Sequence, residues 1–344
     1  MDFFPLDSQL QIWDGHWSEG VVRLAVWLGG LVSYEQAGEV FEQVGQVNIS
    51  PVSIWRRVQK WGEEFREREQ QRVEQANQVA GPVIRRKASK DRERMGIAMD
   101  GAMLNIVGEG WKELKMGCVF EIEQRPSFDK ELLEWEEQGH AVHNSYTAYL
   151  GGPERFGQYA WAEAERRGWE RAWETEAVGD GAVWIWNLVA DHFYDSQQVV
   201  DWYHGTEHLG LSAGLIYREE ESQAKRQWLK DQKENLFQGH AEDIAQLLQT
   251  QAGSHSHVSE ALREQAGYFE KNKRRMNYAE LREEGWLIGS GMVESGAKQY
   301  KQRFTGPGMR WSREGAEHLI PVRSAIMSKT FDQFWHSVYN SPKN

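Results

Sequence analysis

The 344-residue sequence contains a single cysteine, Cys118, which excludes an internal disulfide framework and any Cys-rich zinc site. A bound metal would have to be held by carboxylates and histidines. No uninterrupted apolar stretch approaches the roughly 18 residues of a membrane-span candidate. The opening MDFFPLDSQL lacks a basic region followed by an apolar run. A soluble, cytoplasmic-type protein with no membrane partner is therefore expected. Internal repeats and low-complexity tracts are absent as well. Positive charge is also short: 40 Lys and Arg against 52 Asp and Glu leave −12, on first reading the wrong sign for a nucleic-acid partner.

Hydrophobic residues at 40% and charged residues at 27% fit a globular chain and rule out a disordered or fibrous one. At roughly 150 residues per domain, the length predicts two or three structural units. The negative charge is spread unevenly. Residues 295–344 hold eight Lys or Arg and three Asp or Glu, a balance of +5 that leaves −17 for the first 294. Residues 82–94 hold six basic and two acidic residues, whereas 118–180 hold fourteen acidic and six basic. A net of −12 therefore averages local basic patches with an acidic core surface, and DNA is not excluded. Weak non-specific binding that depends on a few patches is expected.

Residues 1–94 read as a helical region with a polar linker. Ser33-Tyr-Glu-Gln36 has the form of a capping box opening a helix to Gly45, and Ser50-Pro51 places an N-cap before a proline at the first helical position. The second helix carries Val52, Trp55, Val58, Trp61 and Phe65 at helical spacing, with Arg56, Arg57 and Lys60 largely on the other side. Both a helix-turn-helix unit and a plain helical hairpin with a solvated basic face fit this pattern.

At Met95 the character changes. Residues 95–107 and 111–123 read as strands around the turn signal Gly108-Glu-Gly110, with further strands at 142–150, 173–179 and 197–203 and helices near 153–168 and 184–193. The order predicts a mixed α/β core over 95–205. An all-helical segment of some eighty residues follows over 206–288. Residues 289–344 then give a helix from Ser290, a Gly-Pro-Gly loop at 306–308 and a helix from Ser312.

Three acids stand where acids are unexpected. Asp100 lies in an apolar strand, Asp180 ends another strand, and Glu294 lies in the first turn of a late helix. Strand-borne carboxylates cost burial energy unless paired or bound to a cation. Each has a plainer reading: Asp100-Gly101 and Asp180-Gly181 are turn-forming dipeptides, and an acid near a helix start is favoured by the helix dipole. Carboxylates alone suit two hard Mg²⁺ or Mn²⁺ ions, held roughly 4 Å apart for phosphoryl transfer.

The stretches GIAMDGAMLNIVGEGWKELKMGCVF, GDGAVWIWNLVADHFYDSQQVVDWYHGTEHL and GSGMVESGAKQYKQRFTGPGMRWSREGAEHL resemble the ISKra-like bacterial insertion-sequence transposases, a family of the DDE class with an RNase H-like catalytic core. The resemblance runs from PLDSQL to the C-terminal FDQFW. It implies an RNase H-like core interrupted by the helical segment 206–288, with Asp100, Asp180 and Glu294 as catalytic, metal-binding acids. DNA is implied as partner, both terminal repeats and target, in a homo-oligomer on the bacterial nucleoid. Asp201 competes for the second position; because Asp201-Trp-Tyr-His204 looks like a motif that follows the second acid in related groups, Asp180 is assigned as the ligand and Asp201 with His204 as a supporting pair. Many members of that family carry a longer, often Cys-rich N-terminal region. On that comparison this sequence is expected to be truncated or split, with weaker recognition of element ends.

Lys298 and Lys301 follow Glu294 on one helix face, and Arg303, Arg310 and Arg313 extend a basic surface, with Trp311 either stacking on a base or filling the core. Lys271, Lys273, Arg274 and Arg275 form a further cluster, read either as a phosphate contact or as a solvated helix face. A decayed, non-catalytic DNA-binding repressor is the alternative function. A lesser one is a zinc hydrolase, since His204-Gly-Thr-Glu207-His208 fits H-x-x-E-H.

Overall fold

The computed structural model describes residues 17–78, 94–129, 134–254, 256–306 and 308–340. PLDSQL, the basic run Arg85-Arg86-Lys87 and the proline of the Gly-Pro-Gly loop lie outside the described residues. The chain begins with α1 (Glu19–Leu31), α2 (Tyr34–Gln43) and a long α3 (Pro51–Gln78). The Ser33 capping box forms as expected: the Gln36 N–H donates to the Ser33 hydroxyl and the Ser33 N–H to the Gln36 side chain, both at 3.2 Å. The Ser50 hydroxyl accepts from the Ser53 N–H at the head of α3.

The middle of the chain folds as β1 (Arg94–Ile106), β2 (Gly110–Asp129), β3 (Glu134–Leu150), α4 (Pro153–Arg167), β4 (Thr175–Gly179), α5 (Val183–His192) and β5 (Gln197–Val200). These make one five-stranded mixed sheet in the order β3-β2-β1-β4-β5. The first three strands form an antiparallel meander, while β4 and β5 run parallel to β1. The strand expected over 197–203 stops at Val200 because Asp201 caps a helix. Helices then take over: α6 (Trp202–Ile216), α7 (Ser222–Phe237), α8 (Ala241–Ser254), α9 (Ser259–Asn272), α10 (Tyr278–Glu283), α11 (Gly291–Phe304), α12 (Arg313–Met327) and α13 (Phe331–Tyr339). Among the described residues no helix is long and apolar enough to cross a membrane.

Two sequence expectations are corrected by packing. Val52 and Trp55, read as apolar-face residues, are exposed, and Ile54 is buried in their place beside Val58, Trp61 and Phe65. The N-terminal helices also share a core with the last two. Trp61 stacks on Tyr339 at 5.0 Å and lies 4.9 Å from Trp335, and Phe65 stacks on Phe331 at 5.6 Å. A Cβ added at Gly62 would fall 2.4 Å from the His318 carbonyl oxygen. The boundary drawn at residue 94 therefore separates sequence character but does not separate cores, since buried apolar area joins α1, α3, α12 and α13.

Candidate functional site

The sheet register creates the site. Ala98 pairs with Val178 and Gly179 with Val200. Asp100 and Asp180 thus stand two residues past a paired position on adjacent parallel strands, and Asp201 follows β5 directly beside them. Three aspartates lie side by side across the sheet, Asp100 midway along β1 and Asp180 and Asp201 just past the carboxyl ends of β4 and β5, near where open α/β sheets place their ligand crevices. Asp100-Gly101 does not turn; β1 continues through it. Asp180-Gly181 does turn, with Gly181 at φ +100° and the Ala182 N–H donating to Asp180 Oδ1 at 2.8 Å.

Burial is unequally compensated among the three. Asp100 accepts one hydrogen bond, from the Gly101 N–H at 2.6 Å. Burial raises its carboxyl above the ordinary aspartate range and the Asp180 charge pushes the same way, while the Gly101 N–H, His204 and Lys301 pull it back. Asp201 is fully buried and saturated: Oδ2 accepts from the His204 N–H at 3.0 Å and faces His204 Nδ1 at 2.8 Å, while Oδ1 accepts from the Ser290 N–H at 2.6 Å. The hydrogen bond to Asp201 pushes His204 up to about 9 against the opposing effect of burial, and the charges of Asp201, Asp180 and Asp100 add to the rise. His204 thereby supplies a positive charge among the three aspartates.

Glu294 approaches from the opposite side of Ser290. It sits in the first turn of α11, which packs on β1 and β2, accepts from the Ser290 hydroxyl at 3.3 Å and lies 3.9 Å from Lys298. Ser290 therefore links Glu294 to Asp201 through one residue. Glu294 is not among the main charges acting on Asp100, whereas Lys301 of the same helix is. Among the described residues no three His, Cys, Asp or Glu side chains are grouped closely enough to hold one metal ion.

Two neighbours lay outside sequence reasoning. The Tyr268 hydroxyl, from α9, donates to the Asp180 carbonyl oxygen at 2.8 Å, and its ring stacks on His208 at 3.5 Å between centroids. A Cβ at Gly181 would meet that ring at 2.7 Å. No local pattern in α9 announces a contact made only by tertiary folding. Lys115, on β2, is buried with its ammonium 4.4 Å from the centre of the Trp184 ring and paired with Glu113.

The basic residues divide. Arg56, Lys60, Lys298, Lys301 and Arg310 are exposed, while the Arg57 guanidinium stacks over Trp17 at 4.0 Å. Arg303 is corrected: it is 2% exposed, donates from Nε to the Gly29 carbonyl at 2.8 Å and lies over Tyr34 and Trp311. It ties α11 to α1 and presents no surface to DNA. Trp311 is a core aromatic whose Nε1 donates to the Phe304 carbonyl. Arg313 is spent on Glu109 and Glu317, Lys273 on Glu242 and Glu270, and Arg275 on Gln198 and the Trp186 face. The H-x-x-E-H histidines go separate ways, His204 to Asp201 and His208 to Gln265. The chain matches no protein-family model and no curated protein.

Proposed function

We propose that this protein is a DDE-type DNA transposase with an RNase H-like core, cleaving the ends of an insertion sequence and joining them to target DNA. The observation that carries the reading is the in-register pair Asp100, midway along β1, and Asp180, just past the end of the adjacent parallel β4, partly buried and each with a carboxyl oxygen to spare. The mixed five-stranded sheet, interrupted before α11 by helices, is compatible with such a core.

Carboxylate oxygens are the donors a hard divalent cation takes, and Asp100 and Asp180 supply two of them side by side, while Glu294 is not grouped with them. Asp100 and Asp180 would hold Mg²⁺ or Mn²⁺, with Glu294 as the third acid and two ions expected in all. When bound, such ions supply Lewis acidity and an activated water for attack on a phosphodiester. The protein's own part is to fix the aspartates on the rigid sheet, to hold the His204 cation beside them through Asp201, and to grip phosphates with exposed Arg56, Lys60, Lys298, Lys301 and Arg310. Arg57 flanks that grip from its seat over Trp17. The freed 3′-hydroxyl then exchanges one phosphodiester for another in the target, which needs no ATP. Pairing of two element ends calls for a multimer on the nucleoid.

The test is nicking of a terminal-repeat duplex in Mn²⁺. Asp100→Asn, Asp180→Asn and Glu294→Gln should each abolish nicking and leave duplex binding intact; full activity in Asp180→Asn with loss in Asp201→Asn reverses the second assignment. A second reading, a DNA-binding protein without catalysis, is favoured by the engagement of Glu294 with Ser290 and Lys298, away from Asp100. Specific binding with no nicking by the unaltered protein decides for it.

A further inference from the structure

A cavity of about 360 Å³ opens between the C-terminal half of α3, the end of α4 and the first turns of α13, a size within the range of roughly 300–1,000 Å³ typical of small-molecule pockets. Three arginines line it, Arg68, Arg72 and Arg166, together with neutral polar groups such as Thr330 and Gln333, and no carboxylate is among the lining residues. Asp100, Asp180 and Asp201 do not contribute to it.

The cationic charge there is incompletely answered. Arg166 grips the buried Glu163 with two nitrogens, taking both carboxyl oxygens. Arg72 is left at 3.5 Å from that same carboxylate and 3.7 Å from Glu69, and its Nε is buried with no hydrogen-bond partner. A buried donor without an acceptor leaves the Arg72 guanidinium charge incompletely compensated. Arg68 is exposed and forms no ion pair among the described residues. Guanidinium groups are the donors best matched to tetrahedral oxyanions, because their fork offers two parallel N–H bonds.

We propose that this cavity is an oxyanion site that takes a phosphate-type group, with Arg68 and Arg72 as its charged donors and Gln333 beside them. The group could arrive on a free phosphorylated molecule or on a nucleic-acid backbone; the recognising chemistry is the same.

Isothermal titration of the intact protein with sulfate and with inorganic phosphate, at constant ionic strength balanced with chloride, tests the site. Saturable one-site binding of both anions is expected, at least five-fold weaker in Arg68→Gln and in Gln333→Ala, whose melting temperatures without anion should match the parent protein. Binding no different from chloride, or unchanged in Arg68→Gln, overturns the proposal. Competition distinguishes the sources. If phosphate displaces a duplex and Arg68→Gln lowers the slope of log K against log salt by about one, the backbone is the ligand; binding without displacement assigns a small phosphorylated molecule. Asp100→Asn should leave all of these constants unchanged, so the outcome is separate from that of the nicking test.

Discussion

Replacing Asp201 by Asn isolates the electrostatics that hold His204 among the acids. In the native protein the Asp201 carboxylate accepts the His204 N–H at 3.0 Å and faces Nδ1 at 2.8 Å, and His204 is pushed from 6.5 up to about 9. A shift of that size would correspond to about 3 kcal/mol between protonation states, at about 1.36 kcal/mol per pKa unit. The imidazole is 32% exposed, so solvent screening reduces the stabilising contribution to about 1–2 kcal/mol. Asparagine keeps an oxygen for the helix cap and removes the charge. Burial then acts against Asp180 and Asp100 alone, and the His204 titration should fall by at least one unit. Imidazole NMR between pH 5 and 10, in EDTA, measures it. Since the folded value lies above the unfolded one, the stabilisation is complete below about 6.5 and is lost as pH rises through about 9. Chemical denaturation of the native protein should therefore lose stability across that window, and the variant should show a flatter profile. A native His204 titrating near 6.5, or an unmoved value in Asp201→Asn, would refute this account.

Four other outcomes follow from burial, exposure and backbone geometry. Glu69 is pushed up by burial to about 7, so its carboxyl costs stability as pH rises from about 4.5 through 7; urea titrations should show a loss of about 2–3 kcal/mol across that range, absent in Glu69→Gln. Arg303→Ala should lower unfolding free energy by about 2–4 kcal/mol, by stranding the Gly29 carbonyl and the ring faces of Tyr34 and Trp311, yet leave the salt dependence of DNA binding unchanged. Arg310→Gln should do the reverse, reducing the salt slope by about one with no change in melting temperature. Gly181→Ala should destabilise the Asp180 turn, since φ +100° and the Tyr268 ring at 2.7 Å both oppose a side chain; circular dichroism melting against Gly210→Ala, where a Cβ meets nothing, provides the control.

Much of the fold was legible because local signals agreed. The Ser33 and Ser50 caps, the Gly108–Gly110 turn and the strand composition after Met95 each act within a few residues, and each element formed close to its expected place. Where the sequence misled, a longer-range contact decided. Arg303 looks like Arg310 in any window, and only the packing of α11 against α1 buries one and leaves the other in solvent. Val52 and Trp55 have helical spacing with Val58, but the buried face runs through Ile54, which with Val58 lies against Gly29 of α1. Asp100-Gly101 and Asp180-Gly181 are the same dipeptide with opposite outcomes. The first lies within a thirteen-residue pairing with β2 that carries the chain straight on, whereas β4 is flanked only by the first residues of β1 and by β5 and turns. Tyr268 had no signal at all, because its contact with Asp180 spans 88 residues.

The choice between Asp180 and Asp201 as cation ligand rests on how each carboxylate's desolvation is offset. A buried carboxylate persists only if donors or counter-charges replace lost water. Asp201 has that compensation from within the fold: two backbone N–H groups and the His204 ring consume both of its oxygens, and a cation there would have to displace them. Asp100 and Asp180 receive one backbone N–H each and repel one another across the β1–β4 pairing, so the fold leaves a deficit of positive charge between them. The protonated His204 offsets part of that deficit from the side of Asp201. A divalent cation would offset the remainder and would push His204 towards its neutral form. Adding Mn²⁺ should thus bind with release of a fraction of a proton near pH 8, measurable by titration calorimetry in buffers of different ionisation enthalpy, and Asp201→Asn should abolish that release while retaining the metal. Proton-free binding in the native protein would place the cation away from Asp100 and Asp180.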